Sequence, residues 1–251
     1  MKKFLTIFLA LSILVLALAS CNNPSQTTNN AITIAPDTTV TTSPTETTKE
    51  PVQDTTIVPS GEQFWAISDL YEVMLLRKYG SVNSCAITAY NAQSSDVVFP
   101  EYYEENKTKT HYPVIWIGSG SATVFVKGSP VSITLPSSTL AIKALAFEFN
   151  LTIESVKLNE GLETIEKMAF WCCTNLKTVN LPSTLITIEA NAFQGTGIQT
   201  LVIPSSVQTI GKSAFAGCTN LTSVTLPRRF ESQVNDIFGS HASSITFTYV
   251  D

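Results

Sequence analysis

Histidine is nearly missing from this 251-residue chain, which holds only His111 and His241. Zinc sites and histidine-based nucleophilic triads need imidazole as ligand or base, so very few arrangements of either kind can be built. Charge is sparse too, at 14% of residues against 44% apolar. The 15 basic and 20 acidic residues leave a formal charge of -5. Nucleic acid is therefore not an expected partner, because binding a polyanion needs a basic footprint. The chain has no Gly-x-x-x-x-Gly-Lys-Ser/Thr loop, no Gly-x-Ser-x-Gly elbow, no His-Glu-x-x-His and no calcium loop of alternating Asp. The run Gly118-Ser119-Gly120-Ser121 lacks a Lys and reads as a turn. Glu160, Glu163 and Glu166 fall within one short segment and read as a solvated face. A non-enzymatic protein with no cofactor and no metal is expected.

The N-terminus reads as an address. Lys2-Lys3 precede Phe4 to Leu18, which is apolar except for Thr6 and Ser12, and Ala19-Ser20-Cys21 follows. That run is short for a spanning helix and ends in small residues, the pattern of a signal peptide over residues 1–20. Leu18-Ala19-Ser20-Cys21 resembles the lipobox of bacterial lipoproteins, and the resemblance implies cleavage before Cys21 and lipidation of its thiol. Lys2 and Lys3 are the only charges removed by that cut, so the mature chain would carry 13 basic and 20 acidic residues, a net of -7. Several acyl chains hold a protein stably at a membrane where one is marginal. Residues 22–60 contain twelve Thr and five Pro and no aromatic residue. Such a segment cannot bury enough apolar surface to offset its chain entropy, so 21–60 is expected to be a disordered tether with a reach of about 35 Å.

The second half repeats. Phe147, Phe170, Phe193, Phe215 and Phe238 follow one another at 23, 23, 22 and 23 residues. Three more apolar ladders keep the same spacing: Ile133, Val156, Val179, Leu201, Val224 and Phe247; Leu135, Leu158, Leu181, Ile203, Leu226 and Tyr249; and Ile142, Ile165, Ile188 and Ile210. Pro136, Pro182, Pro204 and Pro227 follow the second of these, with Asn159 once in their place. Each unit thus reads as a short strand stopped by proline, a turn, and an Ile-x-x-x-Ala-Phe return segment. One unit cannot bury its own apolar face, so successive coils must stack with parallel strands about 4.8 Å apart. The lost residue near Gly195-Thr196-Gly197 falls in a turn, where strand register should survive it.

The run Ile210-Gly211-Lys212-Ser213-Ala214-Phe215-Ala216-Gly217-Cys218-Thr219-Asn220-Leu221-Thr222-Ser223-Val224-Thr225-Leu226-Pro227 resembles the unit of the BspA-like leucine-rich repeat family throughout. The likeness covers roughly residues 129–250 and implies an α/β solenoid: a leucine-rich-repeat fold with a parallel β-sheet and short helical or irregular segments on the opposite side. Members of that family are often adhesins. Departures at Asn159, Leu140 and the last unit, Arg228 to Phe238, put the terminal coils in doubt. Residues 61–128 are expected to form an N-terminal capping unit before the repeats of 129–251, with 101–111 as a polar insertion. Tyr71 to Leu76 either pair with Ala86 to Tyr90 across a hairpin around Gly80 or form a helix, since Ile67, Leu70, Tyr71 and Met74 have helical spacing.

Cys173 and Cys218 hold the same repeat position two coils apart, too far to bridge, and read as small buried apolar residues; Cys172-Cys173 is a second, strained candidate pair. The strand residues that alternate with the core ladders should face outward in two columns. One is Ser132, Ser155, Thr178, Thr200, Ser223 and Thr246; the other is Thr134, Lys157, Asn180, Val202, Thr225 and Thr248. Ser155, Lys157, Thr178, Asn180, Thr200, Val202, Ser223 and Thr225 are the candidate binding residues, facing a protein or glycan ligand. The expected protein is a membrane-anchored, adhesin-like binding protein at the bacterial cell surface. The alternative is a structural or scaffolding lipoprotein of the cell envelope.

Overall fold

The computed structural model describes residues 58–59, 65–67, 70–78, 81–92, 94–105 and 107–251. The expected signal peptide, Cys21 and nearly all of the expected tether lie outside these residues. Among the described residues no helix is long and apolar enough to cross a membrane.

The first described strands are β1 (Val58–Pro59), β2 (Trp65–Ile67), β3 (Tyr71–Lys78), β4 (Ser81–Asn91) and β5 (Asp96–Val98). β3 and β4 pair antiparallel, Tyr71 opposite Tyr90 and Leu76 opposite Ser84. The hairpin is therefore formed, and the helical spacing of Leu70, Tyr71 and Met74 is incidental. The β-branched and apolar run Val73 to Leu76 is buried on both faces, which suits a strand covered on two sides. Next come β6 (Tyr102–Glu104), β7 (His111–Ile117) and β8 (Phe125–Lys127). β6 folds back antiparallel on β7, so the polar insertion is a hairpin.

From there every coil contributes two strands. β9 (Ser132–Thr134), β11 (Ser155–Lys157), β13 (Thr178–Val179), β15 (Thr200–Val202) and β17 (Ser223–Pro227) carry the Val/Leu ladder. β10 (Ala141–Ile142), β12 (Thr164–Ile165), β14 (Thr187–Ile188) and β16 (Thr209–Ile210) carry the Ile ladder, and β18 (Thr246–Val250) ends the chain. The Ile residues thus form a second parallel sheet in the side expected to be helical or irregular, Ile142 against Ile165, Ile165 against Ile188 and Ile188 against Ile210. Among the described residues, helical structure is confined to the last unit, at Arg228–Gln233, Val234–Phe238 and Gly239–Ser244. There the repeat loses its Ile, and with it the second strand.

Between the two sheets runs the aromatic column. Phe147, Phe170, Phe193, Phe215 and Phe238 are fully buried, with successive ring centroids 5.0, 5.1, 5.3 and 5.6 Å apart. Burying each ring contributes roughly 1.5 to 3 kcal/mol, and near-parallel stacking adds to that. Phe238 keeps its place although its unit is helical. Backbone geometry repeats as well: Leu145, Met168, Asn191 and Ser213 all sit at φ between 57 and 63. They turn the chain from the Ile strand into the Ala-Phe step in the left-handed region, at a cost each coil meets with packing.

The first expectation to fail is the unbroken outward sheet. β5, β9, β11 and β13 form one sheet and β15, β17 and β18 another, and no ladder joins β13 to β15. Here Cys173-Thr174-Asn175-Leu176 is answered by the shorter Thr196-Gly197-Ile198. Gly197 passes so close to the coil below that an added Cβ would lie 2.4 Å from the Thr174 carbonyl oxygen. The shortened turn thus lies at the break, where one bond, from the Gln199 N–H to the Lys177 carbonyl at 3.3 Å, still crosses. The Ile sheet runs through the same point without interruption, β14 on β16.

Candidate functional site

Strand alternation turns the ladder residues inward and their neighbours outward. Ile133, Val156, Val179, Leu201 and Val224 are buried, while Thr178, Thr200 and Ser223 are exposed and Ser132 and Ser155 half-buried. All eight candidate residues belong to the outward face, but the structure gathers only half of them at one place. Ser155, Lys157, Thr178 and Asn180 line a depression of about 500 Å³ together with Ser132 and Thr134. Thr200, Val202, Ser223 and Thr225 lie beyond the split, on the second sheet.

Among the described residues, Lys157 is the only charged side chain lining the depression. The other polar atoms come from four hydroxyls and the Asn180 amide, a set able to donate and accept hydrogen bonds in many directions. The floor is Ile133 and Val156, held by the Val/Leu ladder. Val202, by contrast, is 64% exposed and gives the second half of the face an apolar centre.

One further rung comes from Asp96-Val97-Val98-Phe99-Pro100, which resembles a degenerate first repeat unit. β5 pairs in parallel with β9, Asp96 opposite Ser132 and Val98 opposite Thr134, and Asp96 accepts a 2.6 Å bond from the Ser132 hydroxyl. Val98 is 68% exposed. The 36-residue step from Asp96 to Ser132 conceals this rung from a search at period 23. Its signal was present all the same: Val97-x-Phe99-Pro100 has the form of Ile133-x-Leu135-Pro136. Beyond β5 the β6–β7 hairpin presents Tyr102 stacked on His111 at 4.2 Å. Glu104 accepts from His111 and from Lys109 at 3.0 and 2.9 Å, and these bonds hold its carboxyl below the usual carboxylate range.

Glu160 and Glu163 are exposed, as a solvated face would be, and Glu166 is half-buried; two of the three also bond to a neighbouring coil. Glu160 accepts from the Ser183 backbone N–H and hydroxyl at 3.1 and 3.0 Å, and Glu101 does the same for Ser137 at 2.8 and 2.8 Å. Glu166 pairs with Lys143, which lies 4.4 Å over the Trp116 ring, and accepts from the Ala144 N–H at 3.0 Å. These carboxylates fasten one coil to the next, leaving Glu163 exposed. Cys173 and Cys218 are buried free thiols, as expected, and Cys173 being free excludes a bridge to Cys172. Each donates to the Phe carbonyl of the coil below, Phe147 and Phe193, at 3.1 Å. Burial pushes them up to about 12 and about 11, which suppresses the thiolate.

No curated protein matches the chain significantly. Among solved structures, a leucine-rich repeat protein from Bacteroides ovatus is similar at 22% identity and a TM-score of 0.53, over 65% of this chain and 47% of that one. The pneumococcal vaccine antigen PcpA is similar at 20% identity and a TM-score of 0.51, over 67% and 50%. The chain thus spans about half the length of either structure, and the likeness is one of fold. A family model for the BspA type leucine rich repeat region matches residues 121–246, half of the chain, in 6 copies. With its stacked Phe and Ile ladders accounted for coil by coil, this chain belongs to the BspA-type leucine-rich repeat family.

Proposed function

We propose that this chain is a lipid-anchored, surface-displayed binding protein that holds a protein or glycan ligand on the outward face of its repeats and has no catalytic activity. The observation that carries the reading is the depression lined by Ser132, Thr134, Ser155, Lys157, Thr178 and Asn180. It rests on a fully buried core, so its hydroxyls are presented without the entropy loss that flexible loops suffer on binding. The non-catalytic reading is supported by the scarcity of histidine and by the described residues, in which no group of three His, Cys, Asp or Glu side chains gathers. Anchoring through Cys21 is supported by Leu18-Ala19-Ser20 directly before it. Display at a surface is supported by the fold shared with a pneumococcal vaccine antigen.

The test is affinity capture with the full-length protein, followed by two double variants, Thr178→Glu/Asn180→Glu and Thr200→Glu/Thr225→Glu. The first should abolish capture of the ligand found and the second should weaken it less, both with unchanged melting temperature. Equal binding by the first variant and the parent would move the site off the depression. With one cation in the site, affinity should fall only slightly between low and physiological salt. Cys21→Ser should release the protein from the membrane or leave its signal uncut. Detergent-phase partitioning indifferent to that change would refute the anchor. A protein sealed from added protease on intact cells would favour the envelope-scaffold role instead.

A further inference from the structure

A second depression, of about 430 Å³, lies between β8 and the turn at residues 148–152. Phe125, Phe149, Asn150 and Thr152 line it, and among the described residues Glu148 is the one charged side chain that does. Two departures from the repeat meet there. Phe149 occupies the column that two later coils fill with Gly195 and Gly217, and it adopts the same left-handed backbone at φ 53. That conformation suits glycine and costs an aromatic residue more, and the next coil also meets it with a non-glycine, Cys172 at φ 56. The ring leans on Trp171 at 4.7 Å, and the Trp171 indole N–H is buried with no hydrogen-bond partner.

Glu148 is the second departure. Trp171, Gln194 and Ala216 hold its position in the later coils. Its carboxylate is half-buried and makes no hydrogen bond or ion pair with a described residue, and burial alone pushes it up from the ordinary carboxylate value. The acids that fasten the coils, Glu101, Glu160 and Glu166, each have partners. A half-buried carboxylate without a partner is unfavourable in the free protein and becomes favourable when a cation arrives.

The shape and lining narrow the cation. A lone carboxylate is too few oxygens for a calcium or magnesium ion, which needs six or so ligands. Two aromatic walls beside one carboxylate suit an ammonium carried on an apolar stem, since methylenes lie along the rings while the charge meets the carboxylate and the ring faces. We infer that this depression takes the side chain of a lysine from a partner protein, with Glu148 receiving the ammonium and Phe125 and Phe149 flanking the stem. The site is separate from the hydroxyl-lined face and does not depend on it.

Nα-acetyl-lysine methylamide is the probe, with the norleucine analogue as the control that keeps the stem and removes the charge. Titration of the full chain followed by amide NMR should give saturable shifts around Phe125, Phe149 and Thr152 with the lysine probe and none with norleucine. Glu148→Gln should retain the parent's melting temperature, because the carboxylate makes no contact to lose, and should weaken the lysine probe about tenfold. Phe149→Gly should relieve the backbone strain yet weaken the probe, which a purely structural ring would not do. Equal shifts with both probes, or undiminished binding to Glu148→Gln, would overturn the assignment. So would the absence of saturable shifts up to the probe's solubility limit.

Discussion

The Ile sheet and the outward sheet are built from the same coils, yet one is continuous from β7 to β16 and the other splits between β13 and β15. The difference is a matter of distance along the chain from one missing residue. Thr196-Gly197-Ile198 ends immediately before β15, so the shortened turn acts on that strand directly. The Ile strand β16 comes after Pro204, whose carbonyl accepts from the Val207 N–H at 3.1 Å in the next turn. That turn is the same as in the coil before, where the Leu185 N–H bonds the Pro182 carbonyl at 3.1 Å, so by β16 the chain is back on the common path. The aromatic column behaves like the Ile sheet, with Phe193 and Phe215 still 5.3 Å apart and 2° from parallel. In a stacked array a local deletion is thus absorbed at the strand beside it, and the buried side chains set the spacing of everything else.

The strongest way to break this comparison is Phe193→Ala, which removes the ring that bridges the shortened coil from Phe170 to Phe215. It should cost about 3 to 5 kcal/mol and bring down several coils together. Thermal denaturation showing a midpoint within a degree of the parent would mean that the column does not carry the stack across the split.

Restoring the lost residue should sharpen it. One Asn inserted after Gly197 recreates the spacing of Cys173 to Leu176 and of Cys218 to Leu221. β13 and β15 should then pair, adding about 1 to 2 kcal/mol from two or so ladder bonds. Hydrogen exchange at Thr200 to Val202 should slow, and unchanged exchange there would place the cause of the split elsewhere.

The thiols test whether the core is equally tight on the two sides of the split, because Cys173 lies before it and Cys218 after it. Neither should react with a soluble disulfide reagent near pH 8 until the protein unfolds. Their folded values of about 12 and about 11 stand above the ordinary thiol value of 9.0. The sign follows: this contribution is intact below about pH 9 and is lost as pH rises through the folded values. Melting temperature should therefore decline between pH 9 and 11, and rapid modification of either thiol at pH 8 would show local opening.

The smallest effect expected is from Glu160→Ala, which frees Ser183 at the surface of an intact sheet. It should cost less than about 1 kcal/mol, the range of exposed charged contacts. A larger loss by chemical denaturation would show that the carboxylate clamps, rather than the ladders, set coil spacing.

How much could be read from the chain depended on whether the information was periodic. The Phe ladder, the inward Val/Leu ladder and the outward hydroxyl columns follow from spacing and strand alternation, and each was located residue by residue. The Ile ladder was located too, but its two-residue strands were not, because a run as short as Thr187–Ile188 carries no strand pattern of its own. Among the binding candidates, Thr178 and Asn180 were grouped with Thr200 and Val202 by alignment, whereas the split divides them. β5 is legible as a degenerate unit from Val97-x-Phe99-Pro100, but its place at the head of the outward columns is not, because its neighbour in space, β9, is 36 residues away in sequence.

By itself the sequence determined which side chains are buried and how often, because a coil that cannot bury its own apolar face must repeat it in register with the next. Tertiary structure alone decided where the outward sheet ends, which hydroxyls share a depression, and which carboxylates find partners in the coil below. Those outcomes depend on ångström-scale heights between coils, such as the approach of Gly197 to Thr174, and no local pattern encodes a distance between two turns 23 residues apart. The left-handed turn at Leu145, Met168, Asn191 and Ser213 makes the same point. Four unlike residues adopt one backbone conformation because the stack around them leaves no other path to the buried phenylalanine.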